Sequence, residues 1–369
     1  MKTAKTAIKV IIFVALLLVV LWGLAQVFTY PRANMYKSGD CSRERFNSFY
    51  KQDDNIIDCV FLGTSGTDRY WLPSFAWHDN GLATYSLVTP SQPLAFSENL
   101  IKETLKTQDV KLFVLDLRMI TNDLTKRKSP PTRRVTDNMK YSLNWLNAII
   151  KYRKLMSSSE KKRERFLSFL YKPYKYHSMW NTMELEELED LYPEDKFFGY
   201  YGANFVYKIR PQKPTRFPIE PMDVAKDNKK ILKDLYEYCQ TIDAEVVFIS
   251  TPVSNMPRRQ GKLKSAAEYA REVGFEVYDF NTEEMYDELN WDFKTDHYNP
   301  NHANFKGALK FTDYLSEILI NRYGLKDHRN DDDITCYTDW ENGYKTTMRR
   351  AKKKMPDVYE KRMAGEPIQ

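Results

Sequence analysis

The sequence is poor in cysteine and histidine, and it lacks the short motifs that bind metals and nucleotides. Cys41, Cys59, Cys239 and Cys336 are the only cysteines among 369 residues, too few for a disulfide framework in a chain of this length. No CxxC pair, HExxH, GxxxxGK[ST] or GxGxxG after a strand occurs, which argues against zinc-protease, P-loop and dinucleotide chemistry. His297 and His302 stand five apart, the wrong spacing to share one helical face. The run Asp331-Asp332-Asp333 lacks the spaced ligands of a calcium loop and reads as linker. No segment repeats at a fixed period. The expectation is a chain without metal or cofactor.

What is present begins with a long apolar run. Lys2, Lys5 and Lys9 precede 18 uncharged residues from Val10 to Val27, about 27 Å as a helix and enough to cross a bilayer. The basic flank should stay in the cytoplasm and the remainder should lie outside. A cleaved signal peptide is the alternative, with "GLA" at residues 23–25 as its small-x-small site; the length of the run favours an uncleaved anchor over residues 1–30. The formal charge is +6, and residues 344–369 alone hold eight Lys or Arg against three acids. Their "MRRAKKKMP" has no aromatic pattern for stacking bases, so nucleic acid is not an expected partner. A solvated tail over residues 324–369, or contact with anionic lipid or polymer, fits better.

After a polar spacer (residues 31–54), strand and helix signals alternate. "NIIDCVFLG", "GLATYSLVTPSQPL", "VKLFVLDL", "AEVVFISTP" and "FEVYDFN" read as five strands. "AFSENLIKETLK", "KDNKKILKDLYEYCQTI" capped by Asp227, "LKSAAEYAREVG" ending at Gly274, and "GALKFTDYLSEILINRYG" read as helices. Cys59 and Cys239 fall in the apolar faces of these elements and read as small buried hydrophobes. This order predicts an α/β domain over residues 55–323, a three-layer sandwich around a mostly parallel five-stranded sheet. Residues 121–222 are rich in Lys, Arg, Tyr and Pro, break the alternation, and read as an insertion over the sheet.

Ligands of open parallel sheets bind beyond the carboxyl ends of the strands. Ser65 stands there, between Gly63 and Gly66 in "VFLGTSG". Glycine on each side allows a tight turn, with positive φ as one option, that leaves the hydroxyl displayed. A serine needs a base to become a nucleophile. Of the five histidines, His78 and His328 sit in polar loops and His177 in the insertion. His297 and His302 lie in a second carboxyl-end loop, so Ser65 and a histidine should share one rim. The alternative is that His302 only caps the following helix. Arg118, just past the third strand, is expected to be structurally paired, with anion binding at the same rim as the other option.

"VFLGTSG" together with "DHYNPNHANFKGALKFTDYL" resembles the SGNH/GDSL hydrolase superfamily, and within it the membrane-anchored branch of teichoic acid D-alanine transfer and polysaccharide O-acetylation proteins. The resemblance spans residues 56–120 and 225–320, and its most specific part is the His-x-Asn-x-x-Gly spacing of His302, Asn304 and Gly307. It implies an SGNH/flavodoxin-like fold with Ser65 as nucleophile and His302 as its general base. It further implies an oxyanion hole from the Gly66 amide, with Thr89, Ser91 and Gln92 as further donors. His177, beside Trp180 and several tyrosines, would face substrate, because aromatic faces suit sugar rings; a packed histidine in an aromatic cluster is the alternative. Implied partners are a cell-surface glycan or acyl donor, and a multi-span membrane O-acyltransferase.

Two departures from the pattern stand out. The orienting acid of the superfamily lies three residues before the histidine, where this chain has Asn299. Asparagine can fix an imidazole tautomer but cannot stabilise imidazolium by charge; in serine proteases an Asp-to-Asn change costs about 10⁴ in rate through the wrong tautomer. Either Asp296 bends back to orient His302, the expected arrangement, or a Ser–His pair works without an acid. The second departure is Gly66 itself, where relatives often carry a bulkier polar residue. The expected activity is a serine esterase or O-acyltransferase; the other reading is a weak or inactive glycan-binding or scaffold subunit.

Overall fold

The computed structural model describes residues 2–29, 40–121, 130–183, 190–200, 202–331 and 335–368. Most of the spacer's first half, residues 30–39, and residues 126–129 of the loop "KRKSPPTRR" lie outside the described residues. The chain folds as two compact units, Met1–Cys41 with Ser157–Pro193, and Ser42–Met156 with Glu194–Gln369.

In the first unit, a single helix, Lys2–Val27, is long and apolar enough to cross a membrane. Its last turn is tied to the other segment of this unit, where Tyr192 Oη donates to Gln26 Oε1 at 2.9 Å. That segment forms short helices at Ser158–Arg163, Phe166–Leu170 and Pro173–Tyr176.

The second unit is α/β. Five strands, β1 Cys59–Leu62, β2 Thr84–Ser86, β3 Leu112–Asp116, β4 Glu245–Ser250 and β5 Glu276–Asp279, form one all-parallel sheet in the order β2-β1-β3-β4-β5. β1 and β3 are buried along their whole length, as expected of continuous Val, Leu and Phe runs at the centre of a parallel sheet. The chain turns one way from β1 to β2 and the other way from β3 onward, so the switch point of the topology lies between β1 and β3. Phe61, Trp71, Val114, Ile249, Phe280, Phe311 and Leu315 share one core cluster. Cys59 and Cys239 are buried free thiols. The helix Lys226–Cys239 starts one residue before Asp227, which lies in its first turn instead of capping it. The helix Pro257–Val273 ends on Gly274 at φ +118°, a conformation that favours glycine.

Three expected boundaries shift. The latter half of the spacer forms the helix Ser42–Phe49, and its Arg45 is fully buried in an ion pair with Asp68 at 2.8 Å. Such a charge can be buried only with its partner, so the α/β unit begins near residue 42. The insertion is divided, since residues 130–156 and 194–222 belong to the α/β unit and residues 157–193 do not. The expected solvated tail is also folded. The helix Thr338–Lys354 packs on Pro73–Asn80 through Tyr344, whose ring meets Phe75 and His78, while its Trp340, 0% exposed, stacks on Phe198. A fully buried indole stabilises by several kcal/mol, more than polar flanks can oppose. The basic residues Arg349, Lys352, Lys353 and Lys354 occupy the exposed side of that helix.

β2 lies at the edge of the sheet, and its outward groups are occupied. Trp340 Nε1 donates to Thr84 O at 3.1 Å, and Ser86 N–H donates to Phe198 O at 2.9 Å.

Candidate active site

The rim between β1 and β3 carries the serine loop. Neither Gly63 nor Gly66 has positive φ, so that option for the turn is not the one used. The glycines provide room. A Cβ on Gly63 would stand 2.5 Å from Asp116 Cβ, and one on Gly66 would stand 2.5 Å from Arg118 Cδ and 2.6 Å from Asp116 Oδ2. Asp116, fully buried at the end of β3, anchors the loop by accepting from Thr64 N–H at 3.2 Å and from the Thr64 hydroxyl. Its other oxygen accepts from the Arg118 amide at 2.9 Å. Sequence reasoning passed over Asp116; a carboxylate closing an otherwise apolar central strand was the signal.

Opposite the serine stands a small hairpin, β6 His297–Asn299 paired antiparallel with β7 His302–Ala303. Asn299 and His302 are cross-strand partners in it. His302 Nε2 is 2.8 Å from Ser65 Oγ, and His302 Nδ1 is 3.0 Å from Asn299 Oδ1. Two loops 237 residues apart therefore bring hydroxyl and imidazole into hydrogen-bond contact.

The tautomer follows from the neighbours. Asn299 Oδ1 also accepts from the Asn301 backbone N–H at 2.8 Å. An amide N–H can only donate, so the atom facing both groups is the oxygen. His302 Nδ1 must then carry the proton and donate it, which leaves the Nε2 lone pair facing the serine O–H. Tyr298 stacks on the imidazole, with centroids 5.7 Å apart at 10°. Burial, then Arg118, Arg69 and Arg259, push the His302 pKa well below the ordinary histidine value. The neutral imidazole is thus the resting form.

Asp296 does not orient His302. Its carboxylate accepts from Lys310 Nζ at 2.8 Å and Asp292 N–H at 2.8 Å, with Lys306 Nζ at 3.4 Å. It precedes the hairpin and faces the helix Phe305–Asn321, so the lysines of that helix claim it. The His-x-Asn-x-x-Gly spacing is explained by the same helix. Asn304 is its N-cap, with Oδ1 accepting from Gly307 N–H at 3.0 Å. Gly307 lets the helix approach Asp296 O, which a Cβ would meet at 2.4 Å. His302 itself is not the cap.

The remaining expected residues fall as follows. The Gly66 amide is committed to Thr64 Oγ1 at 3.1 Å, so the amide after the serine is not available to an oxyanion in this conformation. Thr89 N–H donates to Gly63 O at 3.2 Å, which sets the "TPSQ" turn beside the serine loop. That turn is closed by Gln92 N–H to Thr89 O at 3.0 Å, with Ser91 at φ +61°, a strained value for a residue other than glycine. Thr89 and Gln92 are fully buried, whereas Ser91 is partly exposed. His177 lies in the other unit, exposed, with Nδ1 3.0 Å from Pro173 O. Arg118 is paired through hydrogen bonds, its Nη2 donating to Thr251 Oγ1 and Asn301 O, and no ion pair of it is found among the described residues.

His297 is buried beneath the site. Trp291 Nε1 donates to its Nε2 at 3.0 Å, and its Nδ1 faces His302 O at 3.2 Å. Burial lowers its pKa to about 4. The unfolded chain therefore binds a proton that the native state refuses, and native stability falls as pH drops from about 6.5 toward 4. Chemical denaturation between pH 7 and 4 should show this loss, and His297→Gln should flatten it. An equal slope in the variant would assign the acid sensitivity elsewhere.

No family model matches this chain, and neither a curated protein nor a solved structure does.

Proposed function

We propose that the chain is a membrane-anchored serine esterase or O-acyltransferase of SGNH type, its α/β unit a three-layer sandwich outside the cytoplasm. It would act on acyl esters of a cell-surface or exopolysaccharide glycan. The observation that carries this reading is the 2.8 Å contact of Ser65 Oγ with His302 Nε2, in a tautomer pinned through Asn299.

The chemistry follows from the atoms. His302 Nε2 takes the Ser65 proton as Oγ attacks the acyl carbonyl carbon. The tetrahedral oxyanion then collapses to acyl-serine, and the departing alkoxide regains the proton from His302. The Ser65 amide makes no hydrogen bond among the described residues and would be free to donate to the oxyanion. Water or a sugar hydroxyl resolves the acyl-serine by the same proton traffic. Exposed Arg349 and Lys352–Lys354 would meet anionic lipid or polymer, and a multi-span acyltransferase would supply the acyl group by analogy with the resembled branch.

A fluorophosphonate probe is expected to label the purified chain on Ser65, located by peptide mass spectrometry. A folded protein that takes no label would favour the second reading, a binding or scaffold subunit, which the uncharged Asn299 beside His302 supports.

A further inference from the structure

Arg118 carries a charge that no carboxylate contacts directly, although buried Asp116 lies nearby: Asp116 Oδ2 and Arg118 Nε would each stand 2.6 Å from the same Cβ on Gly66. The arginine side chain is 2% exposed. Nη2 donates to Thr251 Oγ1 at 2.9 Å and to Asn301 O at 3.0 Å, while Nε and Nη1 have no hydrogen-bond partner among the described residues. Asp116, two residues away, turns its oxygens to Thr64 and to the Arg118 amide instead. The guanidinium lies 5.6 Å from the centre of the buried Tyr70 ring. A buried cation that makes no direct ion pair is costly to keep. The fold nonetheless keeps it in place: Thr251 and Asn301 hold its far end, and the missing Cβ of Gly66 admits its near end.

We propose that Arg118 is the fixed counter-charge for the negative charge that develops on the carbonyl oxygen when Ser65 attacks, acting across the Ser65–Gly66 backbone. This rests on the esterase reading above. Attack separates charge, negative on oxygen and positive on imidazole. Asn299 is neutral and offers the positive end no counter-charge. The Gly66 amide is held by Thr64. Stabilisation must then come at the negative end, and Arg118 is the cation bordering Gly66. The charge distribution is reversed relative to a triad with an acid, with a cation behind the oxygen in place of an anion behind the imidazole. Preorganised charge of this kind is worth most where water is excluded.

The test uses a neutral ester, p-nitrophenyl acetate, so that no charged substrate group can be what Arg118 binds. Arg118→Met is expected to lower kcat/KM by about 10²-fold, the scale of losing one oxyanion donor. Arg118→Gln, which keeps hydrogen bonds but no charge, should fall equally far, and Arg118→Lys should keep most of the activity. The acid limb of the pH–rate profile should move up toward 6.5 in the Met and Gln variants and stay low in Lys, because a charge that disfavours imidazolium has gone. A scaffold role would rank Gln at or above Lys and leave the limb unmoved, and that ranking would overturn the proposal. So would kcat/KM within threefold of wild type in both uncharged variants. If Met does not fold, the Gln-to-Lys comparison decides. Wild type that neither turns over the ester nor takes a fluorophosphonate overturns the esterase reading and this inference together; active wild type with indifferent Arg118 variants overturns this inference alone.

Discussion

Ser65→Ala and His302→Ala are each expected to lower ester hydrolysis by about 10⁴–10⁶-fold, and the double variant should be no worse than the poorer single. The two groups act as one unit, because the 2.8 Å contact is the path by which the serine loses its proton. Removing either end leaves binding and electrostatics but no nucleophile. The pH profile of the intact enzyme supplies a companion result. Burial and three arginines hold the His302 pKa far below 6.5, so kcat/KM should stay level as pH falls through 6.5 and decline only well beneath it. A His302→Ala enzyme within tenfold of wild type, or a profile falling at pH 6.5, would place the base elsewhere.

Asp296→Ala is expected to cost about 3–5 kcal/mol of stability, the range for stripping one partner from a buried ion pair. Asp296 is 0% exposed, and Lys310, 7% exposed, would lose its contacting carboxylate and keep the Asn290 carbonyl as its hydrogen-bond acceptor among the described residues. Asn299→Ala should behave oppositely. Its melting temperature should stay near wild type, since Asn299 lies at the partly exposed end of a short hairpin, while kcat falls by about 10² or more as Nδ1 loses the acceptor that fixes the tautomer. A wholly wrong tautomer costs about 10⁴. Thermal melts and initial rates on the two variants separate these roles. A stable, slow Asp296→Ala with a fast Asn299→Ala would restore Asp296 as the orienting group.

That pair also marks how far the sequence could be read. The five strands were legible because buried parallel strands are near-continuous apolar runs, and Ser65 and His302 were legible because both follow such runs. The partner of His302 was not. Choosing between residues three and six positions upstream depends on where a hairpin turns, and only the pairing of Asn299 with His302 decides it. Position 296 drew attention by its charge, yet charge is what drew it to Lys310. The glycines around Ser65 were legible as special but not for the right reason. Their role is set by Asp116, which ends β3, and by Arg118 just after it, about fifty residues later, a proximity that no local pattern encodes. Trp340 was hidden likewise, a lone indole in a polar stretch whose binding place lies far back in the chain.

The indole that closes the outer side of β2 reaches beyond stability. An uncovered strand edge recruits strands from other chains, and Thr84 O and the Ser86 amide are the groups such a recruit would use. A chain cut before residue 335 would lose Trp340, and its first failure should be self-association into strand-paired aggregates, with catalysis lost only as a result. The segment from residue 335 onward thus acts as a built-in guard of solubility, and carboxy-terminal fusions that lever this helix away should clump before they unfold.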